Sequence, residues 1–266
     1  MAEPFSVVIL AAQRDGLLDP LAAEAGVSHK CLVPIGGKPL LAHVLDALAR
    51  VEGVESIRVS VETGADELLR PIAAASGLPV VFTPAAPNLA DSVYAAAQDA
   101  PGALVVTTAD NVLLTPGAVR GIADRLAAGD DVVVAFARKE AVLAAHPEGQ
   151  RNFYRFRDGG ISNCNLYGLS RRGLGAAETF RGGGHFFAHP LRIARAFGVS
   201  NLVLMRLGAL TVAAAMRRLG RRFGVAASAV ILDDGAHAID VDNARTYRIA
   251  SLLLEKRAAT PLSIGA

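Results

Sequence analysis

At 266 residues with 52% hydrophobic content, the chain is long enough to bury the core of one large α/β domain, and a single domain over 1–266 is expected. Its 27 basic and 25 acidic residues leave a formal charge of +2, without the electrostatic footprint of a nucleic-acid binder. Cys31 and Cys164 match no metal-ligand spacing and read as reduced packing thiols; with neither a basic leader nor a span-length apolar run in the sequence, a cytoplasmic protein without a transmembrane segment is expected.

In chain order, short β-branched runs at 6–11, 56–61, 79–82, 103–108 and 131–137 predict strands buried on both faces. Between them, 39–51, 65–77, 89–100 and 115–129 carry helical spacing with Pro or Gly at their ends. This βαβ series predicts a three-layer, doubly wound, mainly parallel α/β sheet, whose ligands belong beyond the carboxyl ends of its strands. After residue 140 the pattern changes. NFYRFRD and GGISNCNLYGLS read as two strands joined at Asp158-Gly159-Gly160, which adds antiparallel members to the sheet. Residues 171–224, rich in Arg and Gly and mostly helical, read as an insertion or lid. ASAVIL and AHAIDVD predict two further short strands, and NARTYRIASLLLEKRA a closing amphipathic helix.

The first strand ends at Ala11-Ala12 and opens into Gln13-Arg14-Asp15-Gly16, a long loop that reaches Lys30. A loop in this place binds phosphates on backbone N–H groups, and Arg14 and Lys30 would add two cations and Gly16 a flexible backbone. Asp15 would have to point away from a triphosphate or meet a metal. Asp110 follows a strand at the carboxyl edge, where it reads either as a ligand for a hard divalent cation or as a helix cap. Asp240 and Asp242, two residues apart in a segment read as extended, would point to one face and complete a Mg²⁺ site with Asp110, or else cap the helix starting near Asn243. Asn88 and Ser92 read as contacts to nucleobase or ribose, or as caps. Asn163 and Asn165 share one face of their strand. His29, His185, His189 and His237 show no metal-ligand spacing and read as ordinary polar residues, and Gly182-Gly183-Gly184-His185 as a lid turn or a plain loop. Arg217, Arg218, Arg221 and Arg222 form a basic cluster, read as a solvated face, an acceptor-phosphate contact or a peripheral contact with an anionic membrane.

The order LAAQRDG…HKCLVPIGGKPLLAHVLDAL resembles the first motif of the nucleotidyltransferase superfamily, which includes the molybdenum-cofactor and sugar-phosphate nucleotidyltransferases. NLADSVYAA at 88–96 resembles the nucleobase-side segment of that family, VVTTADNVLL at 105–114 its metal aspartate and HAIDVDNARTY at 237–247 its late acidic motif. The first loop departs from the family by its few glycines, and 171–224 matches only loosely. The resemblance implies a nucleotidyltransferase-like Rossmann variant with Mg²⁺ as cofactor. Lys30, Arg14 and Asp110 would be catalytic, and Ala11, Ala12, Gln13, Arg14, Gly16, Lys30, Asn88 and Ser92 would bind the nucleotide. Asn163 and Asn165 would meet the acceptor, and Asp110, Asp240 and Asp242 the metal. The expected reaction is transfer of a nucleotidyl group from an NTP to a phosphorylated small-molecule or lipid-precursor acceptor, with CTP favoured by the 88–96 segment. Two alternatives stand beside it. One is a nucleotide-binding regulatory protein without turnover. The other is a metal-dependent glycosyltransferase of related fold, which would want Asp-x-Asp where this chain has Asp110-Asn111-Val112.

Overall fold

A computed structural model describes residues 3–13, 17–181, 203–204 and 207–259. In β1 (Phe5–Leu10), alternate side chains enter two separate cores: Val7 and Ile9 one, Val8 the other. That double burial is why the strand is apolar but for Ser6, which is buried and donates to Pro101 O at 2.7 Å. A short helix α1 (Pro20–Glu24) and a 3₁₀ turn at Lys30–Leu32 follow. Gly36 and Gly37, with φ of 55° and 80°, then close a two-residue hairpin between β2 (Pro34–Ile35) and β3 (Lys38–Pro39). Positive φ at both central residues is what such a turn demands, and glycine adopts it without strain.

The βαβ series follows as expected, apart from a few residues at element ends: α2 (Leu40–Leu48), β4 (Val54–Val61), α3 (Asp66–Ala75), β5 (Val80–Pro84), α4 (Leu89–Ala97), β6 (Ala103–Thr108), α5 (Pro116–Ala127) and β7 (Val132–Arg138). Beyond it lie α6 (Lys139–Ala145), β8 (Tyr154–Phe156), β9 (Gly159–Leu169), a 3₁₀ helix at Gly173–Phe180, α7 (Val212–Phe223), β10 (Ala227–Leu232), a 3₁₀ turn at Gly235–Ala238 and α8 (Ala244–Ala259). The described residues form an eight-stranded sheet in the order β10-β7-β9-β6-β1-β4-β5, with β8 beside β9. Its pairings are parallel except those made by β9, which runs antiparallel to β6, β7 and β8. The fold is therefore the mixed, mainly parallel α/β sandwich that the sequence predicts. Leu40, Leu41, Leu45, Leu48, Leu69, Ile122 and Ile249 cover one face from α2, α3, α5 and α8. The other face is covered by Val93 and Ala96 of α4, Ala176 and Ala177, and by Val212, Met216 and Leu219 of α7.

Two local expectations are corrected. The turn between β8 and β9 lies at Arg157-Asp158, because Phe156 already pairs with Gly159. Asp158 is drawn away to accept the Val212 N–H at the start of α7. AHAIDVD does not form a strand: Asp234 Oδ1 accepts the Ala236 N–H at 2.9 Å and winds the segment into a 3₁₀ turn before it can pair. Within 171–224, the expected Gly182–His185 turn, His189 and the part of the expected helical region at 190–202 lie outside the described residues.

Candidate active site

From β1 the chain pairs first with β4 on one side and later with β6 on the other, so the carboxyl ends of β1 and β6 flank a topological switch point. Ala11, Ala12 and Gln13 leave β1 at this crevice. The Ala11 N–H donates to Ser60 O at 2.9 Å, and the Gln13 N–H donates to Glu62 Oε1 at 2.5 Å. Arg14, Asp15 and Gly16 lie outside the described residues. Glu62, which the sequence reading did not single out, also stands 3.6 Å from His29 Nε2. Its position immediately after β4, at the same sheet edge, was the available signal.

Lys30 opens the 3₁₀ turn and reaches across the crevice. Its Nζ donates to Asp110 Oδ2 at 2.5 Å and to Asp242 Oδ1 at 3.2 Å. Burial alone would lower the pKa of Lys30, but the charges of Asp110 and Asp242 and their hydrogen bonds outweigh it and hold the ammonium above its ordinary value. The lysine is therefore a fixed cation. Asp110 is not a cap, since α5 is capped by Thr115, whose hydroxyl accepts the Ala118 N–H at 3.3 Å. Its loop is fixed by the next residue: Asn111, buried, donates to Thr107 Oγ1 and to Cys164 O, both at 3.1 Å. The polar pair Asp110-Asn111 among apolar residues was its only sequence signal.

The late acidic motif is bound to the same loop, because the Val241 N–H donates to Asp110 O at 3.2 Å. The Asp242 N–H turns back onto Asp240 O at 3.0 Å, a tight turn about the buried Val241. The extended geometry expected of this segment is therefore corrected to a tight turn, with Asp240 buried and Asp242 exposed. Neither caps α8. That place belongs to Asn243, whose Oδ1 accepts the N–H groups of Arg245 and Thr246.

Asp240 Oδ2 accepts the Asn165 side-chain N–H at 2.6 Å. Burial, then the neighbouring charges of Asp110 and Asp242, push the Asp240 carboxyl well above the ordinary range. Asp110 Oδ1 and Asp240 Oδ1 are buried acceptors without a partner among the described residues. Orphaned carboxylate oxygens of this kind are costly and suit a cation. Among the described residues no three His, Cys, Asp or Glu side chains gather as a metal cage. The arrangement fits Mg²⁺, which takes one or two carboxylates and completes its shell with water and substrate phosphates.

Asn88 and Ser92 have structural occupations. Asn88 caps α4, accepting the Asp91 N–H at 3.0 Å, and the Ser92 hydroxyl, buried, accepts the Ala86 N–H at 2.9 Å and pins the loop after β5. Asn163 and Asn165 bond to one another and to Tyr167, and Asn165 also bonds to Asp240. Cys31 and Cys164 are buried and unpaired, and burial pushes both thiols up, Cys31 to about 12, so neither offers a thiolate nucleophile. Arg217, Arg221 and Arg222 are exposed on α7, and no helix among the described residues is long and apolar enough to cross a membrane.

A segment of 102 residues is 33% identical to the 3-deoxy-manno-octulosonate cytidylyltransferase of Anaeromyxobacter dehalogenans, covering 38% of this chain. The match spans 41% of the length of that curated relative. A hypothetical transferase of Thermus thermophilus superposes with a TM-score of 0.73 at 28% identity, over 92% of this chain and 99% of its own. The 4-diphosphocytidyl-2C-methyl-D-erythritol synthase of Anaerococcus prevotii superposes at 0.60 over 96% of this chain and 100% of its own, and at 9% identity that likeness shows the fold alone. The family model for the MobA-like NTP transferase domain matches residues 7–225, from β1 through the loop before β10, and the chain belongs to that family.

Proposed function

We propose that the chain transfers a nucleotidyl group from an NTP, with CTP favoured, to a phosphorylated acceptor and releases pyrophosphate. The observation that carries this reading is the Lys30 ammonium held between Asp110 and Asp242 at the carboxyl edge beside β1. The cation and carboxylates stand where phosphate ligands bind in this kind of sheet. Membership of an NTP transferase family and the partial identity to a cytidylyltransferase support the direction of transfer and the choice of CTP.

The acceptor supplies its own nucleophile, an anionic oxygen that attacks the α-phosphorus in line with the departing pyrophosphate. No covalent enzyme intermediate is needed, and the chain's contribution is positioning and electrostatics. Lys30 meets negative charge on the triphosphate. The amides of the first loop, with Arg14 and Gly16, would cradle its outer phosphates. Asp110, with Asp240 or Asp242, would hold Mg²⁺, which when bound neutralises phosphate charge.

The named relative acts on an octulosonate, a sugar acid, which favours a second acceptor class for the same transfer. Pyrophosphate release, measured with four NTPs against sugar, polyol and cofactor phosphates and against sugar acids, with and without excess EDTA, tests the reading. We expect release with CTP and an acceptor of one of these classes, abolished by EDTA. Undiminished release in EDTA would remove the metal from the mechanism. Tight NTP binding without release across the panel would leave a nucleotide-binding protein.

A further inference from the structure

We propose that Asn165 is a positioning residue that presents Asp240 to a divalent cation through a single oxygen. The inference rests on the metal reading above and goes beyond it, because Asn165 touches neither metal nor phosphate in this account and acts through Asp240. Three observations carry it. Asn165 has φ of 45° and is the only non-glycine residue with positive φ among the described residues. It lies in a bulge: between the pairs Val134–Tyr167 and Phe136–Asn163, three residues of β9 oppose one of β7. Asparagine tolerates the left-handed region better than other side-chain-bearing residues, and a bulge re-aims a side chain that regular pleating would send elsewhere.

Second, the amide is oriented from behind. Asn165 Oδ1 accepts from Asn163 Nδ2 at 3.2 Å and from the Tyr167 hydroxyl at 3.4 Å, and the Asn165 N–H donates to Asn163 Oδ1 at 3.3 Å. With its oxygen side occupied, the amide nitrogen is turned to Asp240 Oδ2, at 2.6 Å. Third, the two oxygens of Asp240 differ: Oδ2 has this donor, whereas Oδ1 is buried without a partner among the described residues. An amide that can only donate at that point holds the carboxylate's rotation and leaves Oδ1 as the acceptor for a cation. A bulge kept only for sheet curvature would not need a donor there, and glycine would serve it better.

The test is Mn²⁺ binding to the full chain, with Mn²⁺ alone as probe, followed by electron paramagnetic resonance. Asp110→Asn and Asp240→Asn define the site. Asn165→Gly relieves the backbone and removes the amide, so we expect a thermal midpoint equal to or above that of the wild type with Mn²⁺ affinity lowered about 10–100-fold, the usual loss when a ligand's orienting partner is removed. In the Asp240→Asn background the same substitution should cost nothing further, since its action runs through that carboxylate. Asn163→Ala, which leaves the bulge residue in place and removes its orienting partner, should lower affinity in the same direction and keeps the test open if the glycine variant misfolds. Wild-type Mn²⁺ affinity in both variants, with Asp240 still required, would overturn the inference and leave the metal reading standing. Mn²⁺ binding indifferent to both Asp110 and Asp240 would overturn the two together.

Discussion

Lys30 Nζ lies 2.5 Å from Asp110 Oδ2, so the ammonium already occupies one oxygen of the carboxylate that would hold a metal, while Asp110 Oδ1 remains a buried acceptor without a partner among the described residues. The pair divides the carboxylate: one oxygen keeps a lysine in place, the other is left for a cation. A lysine fixed in this way can meet charge that grows on the α-phosphate without reorganising at the moment of reaction.

Lys30→Ala should therefore lower kcat by about a hundredfold, the scale of a lost electrostatic stabiliser, with a smaller change in KM for the NTP. Steady-state pyrophosphate release gives both constants. A loss confined to KM would assign Lys30 to ground-state binding.

Asp110→Asn separates the metal role from a structural one. The side chain's bonds go to Lys30, while the loop is held by Asn111 and by the carbonyl of Asp110, which the substitution keeps. We expect kcat to fall by at least about a hundredfold with the thermal midpoint moved by no more than a few degrees. Near-normal turnover would leave the mechanism without its central carboxylate.

The strands and helices were legible because burial on both faces forces apolar runs, and Val7, Val8 and Ile9 fill both cores of β1. Lys30 and Asp110 were legible from residue type at a sheet edge and from the motif order. The placing of Asp240 against Asp242 was not, because it depends on the Val241 N–H reaching Asp110 O from far along the chain. Glu62 and Asn111 were missed for the same reason: their partners Gln13 and Cys164 lie 49 and 53 residues away, and no local pattern encodes such contacts. Asn88 and Ser92 had both a ligand and a capping reading; the structure makes Asn88 the cap of α4, while Ser92, inside that helix, bonds the Ala86 backbone instead.

His237 predicts a pH dependence of stability. It is buried, with Nδ1 donating to Asp234 O at 2.9 Å and Nε2 lying 2.9 Å from Thr115 Oγ1, a hydroxyl that can donate to the neutral ring. Burial, opposed by Asp234 and helped by the charge of Arg257, holds its pKa below the ordinary 6.5. The unfolded chain therefore takes the proton first. This contribution is fully present above about pH 6.5 and is lost as pH falls towards the folded value, with a slope of at most about 1.4 kcal/mol per pH unit. His237→Gln, which offers a donor and an acceptor without titrating, should show a shallower fall of the thermal midpoint between about pH 7 and pH 5. Parallel profiles for the two proteins would exclude His237 as the source.

Gly235 begins the 3₁₀ turn that leads to Asp240, and no side chain fits there. A Cβ at this position would lie 2.2 Å from both Ala141 C and Val142 N, backbone atoms of α6 that cannot rotate aside. Gly235→Ala must push the turn off α6, at a cost of about 1–3 kcal/mol if it follows other overpacked sites. The displacement would travel along Ala236, His237, Ala238 and Ile239 to Asp240, so turnover should fall together with stability. Gly175→Ala is the control, because nothing lies within 4 Å of a Cβ there, and its effect should stay within about 0.5 kcal/mol. Urea unfolding midpoints and kcat for the two variants decide the matter. A Gly235→Ala protein as stable and active as the Gly175→Ala control would show that α6 yields to the methyl group and that the close approach does not set the position of Asp240.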